Sequence, residues 1–225
     1  MKKQAQLAFV HRLIIYVWVF ALVLALFPLN ANPVKHIKEL VSSIAVLLLA
    51  VTMLAQPVRP GEPYDWRRMP ALFLAGAWLL WGLLCALFSE VKMAGVDELR
   101  VYITWFLIAL FAARVFREPR HVNSLFLAVC GAVFLSSVYG FMQYLGLDIF
   151  PWSTRNIEEY RGLPSTYANP NFAGHTLMLT LVVGGSLVMT RSFRWVVVLL
   201  VPVAAHLYLT HMRGAPLALA AGCVL

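Results

Sequence analysis

The chain has 225 residues, of which 61% are hydrophobic and 12% charged, and its formal net charge is +8. A soluble domain carries about 45–50% apolar and about 25% charged residues, so the composition excludes a soluble enzyme or binding module. The positive charge does not point to a nucleic-acid partner: excess Lys and Arg is ordinary in the cytoplasmic loops of membrane proteins, and no basic stripe with interleaved aromatics is present.

A bilayer core about 30 Å thick needs about 20 mostly apolar helical residues to cross it. Seven stretches approach this: residues 13–29, 37–55, 71–88, 99–116, 125–147, 172–190 and 195–210. An eighth apolar run, residues 215–225, is eleven residues long and too short to cross. The predicted fold class is all-α: a polytopic transmembrane helical bundle of seven spans plus a truncated eighth. Residues 1–225 form a single membrane domain, expected to be the N-terminal part of a longer one.

The first stretch follows Lys2 and Lys3 and has the outline of a signal peptide. At seventeen residues it is long for that role, and no clean small-x-small cleavage site follows, so it is read as an uncleaved span. Residues 56–70, QPVRPGEPYDWRRMP, hold four prolines and predict a stiff cytoplasmic connector with Trp66 as an interfacial anchor. In the fourth stretch only residues 101–113 are uncharged, between Arg100 and Arg114. It crosses if both arginines snorkel to opposite interfaces; otherwise Asp97, Glu98 and Arg100 sit at the membrane's edge. Cys85, Cys130 and Cys223 all lie in apolar runs without a CxxC pair, which predicts small buried hydrophobes and neither disulfides nor a metal site.

With seven spans, eleven Lys and Arg fall on the N-terminal side of the membrane and seven on the other, which places the N-terminus in the cytoplasm. The segments after the fifth and seventh spans then both face outward. Arg161 and Arg213 share that side, and because spans six and seven form a hairpin, their two segments are able to lie close together.

The first of these segments, RGLPSTYANPNFAGH, residues 161–175, is dense in hydrogen-bonding groups amid lipid-like sequence. Asn169 before Pro170 predicts an N-cap followed by proline at the first helical position. That alone accounts for the pair, but a helix N-terminus also offers N–H groups and partial positive charge to an anion. Asn171 and His175 are four residues apart on one helical face. The second segment, HLYLTHMRG, residues 206–214, sets His206, Thr210 and Arg213 at i, i+4 and i+7. A histidine inside an apolar span is a functional candidate. The plain alternative is a neutral imidazole bonded to a backbone carbonyl, just as Arg213 alone reads as an interfacial arginine. Two outward arginines and a helix N-terminus together suit a phosphate-bearing ligand. Arginine holds phosphate oxygens through a bidentate fork and keeps its charge, as a pyrophosphate leaving group requires.

At three places the chain resembles the O-antigen ligase and O-antigen polymerase superfamily and related protein O-oligosaccharyltransferases. They are YGFMQYLGLD, residues 139–148 with Gln143 inside; the Arg161 segment running into ANPNFAG; and LTHMRGAPLAL, residues 209–219. The family usually has Ser before Arg-Gly where this chain has Met212. The resemblance implies a periplasmic-face glycosyltransferase of the bacterial inner membrane that serves lipopolysaccharide biosynthesis or a related pathway. Such an enzyme moves a glycan from an undecaprenyl-pyrophosphate carrier to a lipid A core, polysaccharide or protein acceptor, without a metal or other cofactor. It implies that Arg161 and Arg213 hold the pyrophosphate, supported by Gln143, Asn169, Asn171 and His175. The family's catalytic histidine belongs to a later periplasmic loop, so the role passes to none of His175, His206 and His211, and the catalytic residue is left unassigned. The competing readings are a transporter or flippase for an anionic lipid-linked substrate, and a non-catalytic membrane scaffold.

Overall fold

The computed structural model describes residues 2–26, 34–54, 70–150, 162–214 and 218. Among them are seven α-helices and no strand: α1 (Lys2–Leu24), α2 (Lys35–Leu54), α3 (Pro70–Phe88), α4 (Lys92–Val115), α5 (Pro119–Tyr144), α6 (Pro170–Val188) and α7 (Val197–Leu209). Short 3-10 turns cover Ser165–Tyr167 and Arg191–Val196, the second running directly into α7. The connector at 56–69, the eighth apolar run apart from Ala218, Cys223 and Arg161 lie outside the described residues.

Among the described residues, six helical segments are long and apolar enough to cross a membrane: Gln6–Leu24, Lys35–Leu54, Pro70–Phe88, Pro119–Tyr144, Pro170–Val188 and Arg191–Leu209. The chain is a multi-pass membrane protein. The expected fourth span is different. It exists as the 24-residue helix α4, yet it is not among the six, because Lys92, Asp97, Glu98, Arg100 and Arg114 leave no long uncharged window within it.

The chain divides into two compact units, and α1 and α2 each contribute to both. The first unit is Met1–Ile15 with Glu39–Arg117. Its clearest feature is the antiparallel α3/α4 hairpin, turned at Ser89, whose hydroxyl accepts from the Val91 N–H at 3.2 Å. The helices approach closely at Gly95, where an added Cβ would sit 3.1 Å from Ala86. In α3, Phe73, Leu74, Trp78, Trp81 and Phe88 are all exposed and only Ala86 is buried. A helix that is apolar on every side is one made for lipid or for other helices.

The second unit is Tyr16–Lys38 with Glu118–Leu225. Its core joins Val19 and Val23 of α1, Ala132 and Val133 of α5, Ala173 and Leu177 of α6, and Val203 and Leu207 of α7. Cys130 is buried with Leu187 and Val196, and Cys85 of α3 is exposed; both are free thiols. Proline at the first turn starts α3, α5 and α6, where its missing N–H costs no hydrogen bond.

Candidate functional site

The site region belongs to the second unit and is built on three helix ends. The first is the C-terminus of α5. Gly146, at φ 73°, turns the chain back after Leu145. Asp148 then returns to the helix: Tyr139 Oη donates to its Oδ1 at 2.6 Å and Gln143 Nε2 to its Oδ2 at 3.1 Å, and the Phe150 N–H donates to Oδ1 at 3.1 Å. Tyr139 and Gln143 are four apart and so share a face of α5. Tyr139, Gln143 and Asp148 of YGFMQYLGLD are therefore one local device, a carboxylate clasped to the helix that precedes it. The side-chain oxygen of Gln143 is buried without a hydrogen bond. A flip of the amide would not help, because a carboxylate cannot donate and the NH₂ must face Asp148.

The second end is the start of α6. Asn169 is extended (φ −141°, ψ 125°) and its Oδ1 accepts from the Asn171 N–H at 2.8 Å, with Pro170 next in the helix. The expected cap is present as drawn from the sequence. Asn171 and His175 are both exposed.

The residues just before this cap are the surprise. Leu163, Pro164, Ser165, Thr166 and Tyr167 are all buried, although they are not α-helical and three carry hydroxyls. Buried polar groups seek partners, and Ser165 and Thr166 find them across the bundle, while the Tyr167 hydroxyl is buried without a hydrogen bond. Ser165 donates to the Ser136 carbonyl, and Thr166 donates to the Val23 carbonyl at 2.7 Å. The Ser136 hydroxyl is shared between Thr166 Oγ1 at 2.7 Å and Ser165 Oγ at 2.9 Å. One α5 serine thus joins the polar segment to α5, while Thr166 joins it to the end of α1. Lys38, from the first turn of α2, holds its ammonium 4.6 Å from the centroid of the Tyr167 ring and 3.4 Å from the Val23 carbonyl. Burial pushes the Tyr167 phenol well above its usual pKa, so it remains a neutral hydroxyl.

The third end is the C-terminus of α7. His206 is completely buried and Thr210 nearly so. The helix stops at Leu209, and His211 takes a left-handed conformation, φ 54°. This corrects the expected continuous face of His206, Thr210 and Arg213: the face ends at Thr210. The turn carries Arg213 off the helix, where it is exposed. Met212, in the position where serine was expected, packs on Gly174 in the first turn of α6, a contact that leaves no space for a Cβ at residue 174.

These segments meet. The Leu163 N–H donates to the Leu209 carbonyl at 3.1 Å, and an added Cβ on Gly162 would lie 2.3 Å from the Thr210 carbonyl oxygen. The backbone immediately after Arg161 therefore runs against the backbone three residues before Arg213. Ser165, Ala168 and His211, at φ 50°, 56° and 54°, are the non-glycine residues with positive φ among the described residues, and all three lie in these two segments. Such conformations cost of order 1–3 kcal/mol each and persist only where surrounding contacts impose them. Among the described residues no group of three or more His, Cys, Asp or Glu side chains is placed to hold a metal.

Of the residues expected to form the site, Gln143, Asn169, Asn171, His175 and Arg213 all belong to this unit, and Arg161 lies outside the described residues. Sequence reasoning missed Ser136, Ser165, Thr166, Lys38 and Asp148. Lys38 entered only as one of the seven Lys and Arg counted on the outer side, and Ser136 gave no signal inside an apolar span. Compared with known proteins, the chain matches no family model, no curated protein and no solved structure.

Proposed function

We propose that the chain is the donor-binding portion of a glycosyltransferase working at the outer face of the bacterial inner membrane, with its N-terminus in the cytoplasm. The enzyme transfers a glycan from an undecaprenyl-pyrophosphate carrier to a lipid A core, polysaccharide or protein acceptor. The observation that carries this reading is the meeting of residues 162–163 with residues 209–210, which brings the two arginine-bearing segments together at helix ends. Arg161 and Arg213 hold the pyrophosphate there and stabilise the charge that develops on it as the glycosidic bond breaks. The polyprenyl tail lies along the apolar helices. The test is glycan transfer in membranes carrying Arg161→Ala or Arg213→Ala at unchanged protein levels. Each substitution abolishes transfer if the arginines bind the leaving group, and normal transfer by either one removes the reading.

The orientation rests on α4 crossing the membrane despite its charges. With that crossing Lys and Arg divide eleven to seven in favour of the N-terminal side; without it they divide nine to nine. Only the first division has the asymmetry that orients membrane proteins. The pairing of the two arginine segments holds in both cases, since an even number of crossings separates them. A cysteine introduced at Glu118 settles the point. The crossing predicts labelling by a membrane-impermeant maleimide only after the cytoplasmic side is opened, and labelling of intact cells from outside contradicts it.

A further inference from the structure

We infer that His206 is the positioning residue of this clamp, an inference that rests on the pyrophosphate reading above. The imidazole is fully buried between α5 and the segment that follows Arg161. Its Nδ1 lies 3.1 Å from the Ser137 hydroxyl and its Nε2 lies 3.3 Å from the Leu163 carbonyl oxygen. A carbonyl only accepts, so Nε2 carries a proton, and Nδ1 pairs with the Ser137 hydroxyl. The ring is therefore a bridge, with one end on α5 and the other on Leu163.

The bridge acts at one particular place. Leu163 is two residues from Arg161, and its own N–H is bound to the Leu209 carbonyl. His206 thus holds by its side chain the same residue that α7 holds by its backbone. Two bonds, one to Leu163 N–H and one to Leu163 O, fix the chain between the two arginine segments. Local sequence makes room for this. Gly140 of α5 faces the ring, and a Cβ there would come within 3.0 Å of Nε2 and 3.3 Å of Ser165. A side chain at residue 140 would require the imidazole or Ser165 to shift by a few tenths of an ångström.

A histidine that merely filled the core would be replaced by any residue of similar volume. A positioning histidine is replaced only by one that still donates to Leu163. Glutamine does so, because its amide nitrogen lies close to the position of Nε2. Asparagine reaches only as far as Nδ1 and keeps Ser137 alone.

The experiment uses the full-length protein in membranes, with two readouts. One is hydrogen exchange over residues 162–169, which needs no substrate; the other is kcat and KM for the lipid-linked donor. His206→Leu is expected to raise exchange at the Leu163 amide and the donor KM by on the order of tenfold each, with kcat changed less, since the buried carbonyl loses its partner. His206→Gln is expected to restore both, and Gly140→Ala to repeat the defect more weakly. Where His206→Leu fails to accumulate, His206→Gln and His206→Asn make the same comparison, and only the first should behave as wild type. Normal exchange in His206→Leu or His206→Asn overturns the inference, as does faster exchange with an unchanged donor KM, or a His206→Gln protein as defective as the others. Normal transfer by Arg213→Ala instead removes the pyrophosphate reading, while the exchange data still show whether His206 holds Leu163.

Discussion

Two stretches of this chain place polar residues beside apolar helices and dispose of them in opposite ways. In the first unit, the start of α4 turns Lys92, Asp97, Glu98 and Arg100 outward. Arg100 pairs with Glu39 at 2.9 Å, which leaves the arginine side chain 54% exposed. In the second unit, residues 163–167 are buried, and the Ser165 and Thr166 hydroxyls bond to Ser136 and to the carbonyls of Ser136 and Val23. Exposed charges tolerate motion because water solvates them in any position. Buried hydroxyls do not, because each must meet one particular partner. The polarity of α4 thus speaks of an interface with water or headgroups. The polarity before α6 fixes a backbone path that runs against Leu209 and Thr210.

Substitutions that break the buried arrangement should therefore have large effects, and those in α4 small ones. The largest is expected from Gly162→Ala, whose Cβ would collide with the Thr210 backbone rather than with a flexible side chain. It should lower stability by about 2–3 kcal/mol and abolish glycan transfer, as read by thermal unfolding in detergent and by product formation. Ser136→Ala removes the hydroxyl shared by Ser165 and Thr166 and should cost about 1–2 kcal/mol by the same unfolding assay. Ala168→Gly relieves a left-handed alanine, φ 56°, and should stabilise by up to about 1 kcal/mol without loss of transfer. Arg100→Ala takes the half-exposed arginine from Glu39, whose side chain is 12% exposed, and should cost about 1 kcal/mol. A larger loss for Arg100→Ala than for Ser136→Ala would reverse the contrast between the two units.

Much of the helical layout was legible in the sequence, since hydropathy reports what a bilayer demands. The third and sixth stretches, 71–88 and 172–190, became Pro70–Phe88 and Pro170–Val188. Asn169-Pro170 announced its cap because both residues act locally. The fifth helix begins at Pro119, six residues before the apolar run, because a proline start and a polar first turn are helical without being hydrophobic. The buried segment was invisible for a different reason. Ser165 and Thr166 look like surface residues until Ser136, about thirty positions earlier, is brought to them. The left-handed turns at Ser165, Ala168 and His211 lack the glycine that would have marked them. The end of α7 at Leu209 was hidden in the same way, so Arg213 was expected on a helical face that the His211 turn interrupts.

In the proposed function Arg161 and Arg213 grip one pyrophosphate. The direct measurement is the affinity of the full-length protein, in lipid nanodiscs, for undecaprenyl pyrophosphate, with Arg161→Ala, Arg213→Ala and the double variant alongside wild type. Each single substitution should weaken binding by on the order of tenfold or more. The double variant should lose less than the product of the two, because residues serving one ligand group are coupled. Unchanged affinity in either single variant, or losses that simply multiply, would contradict a shared clamp.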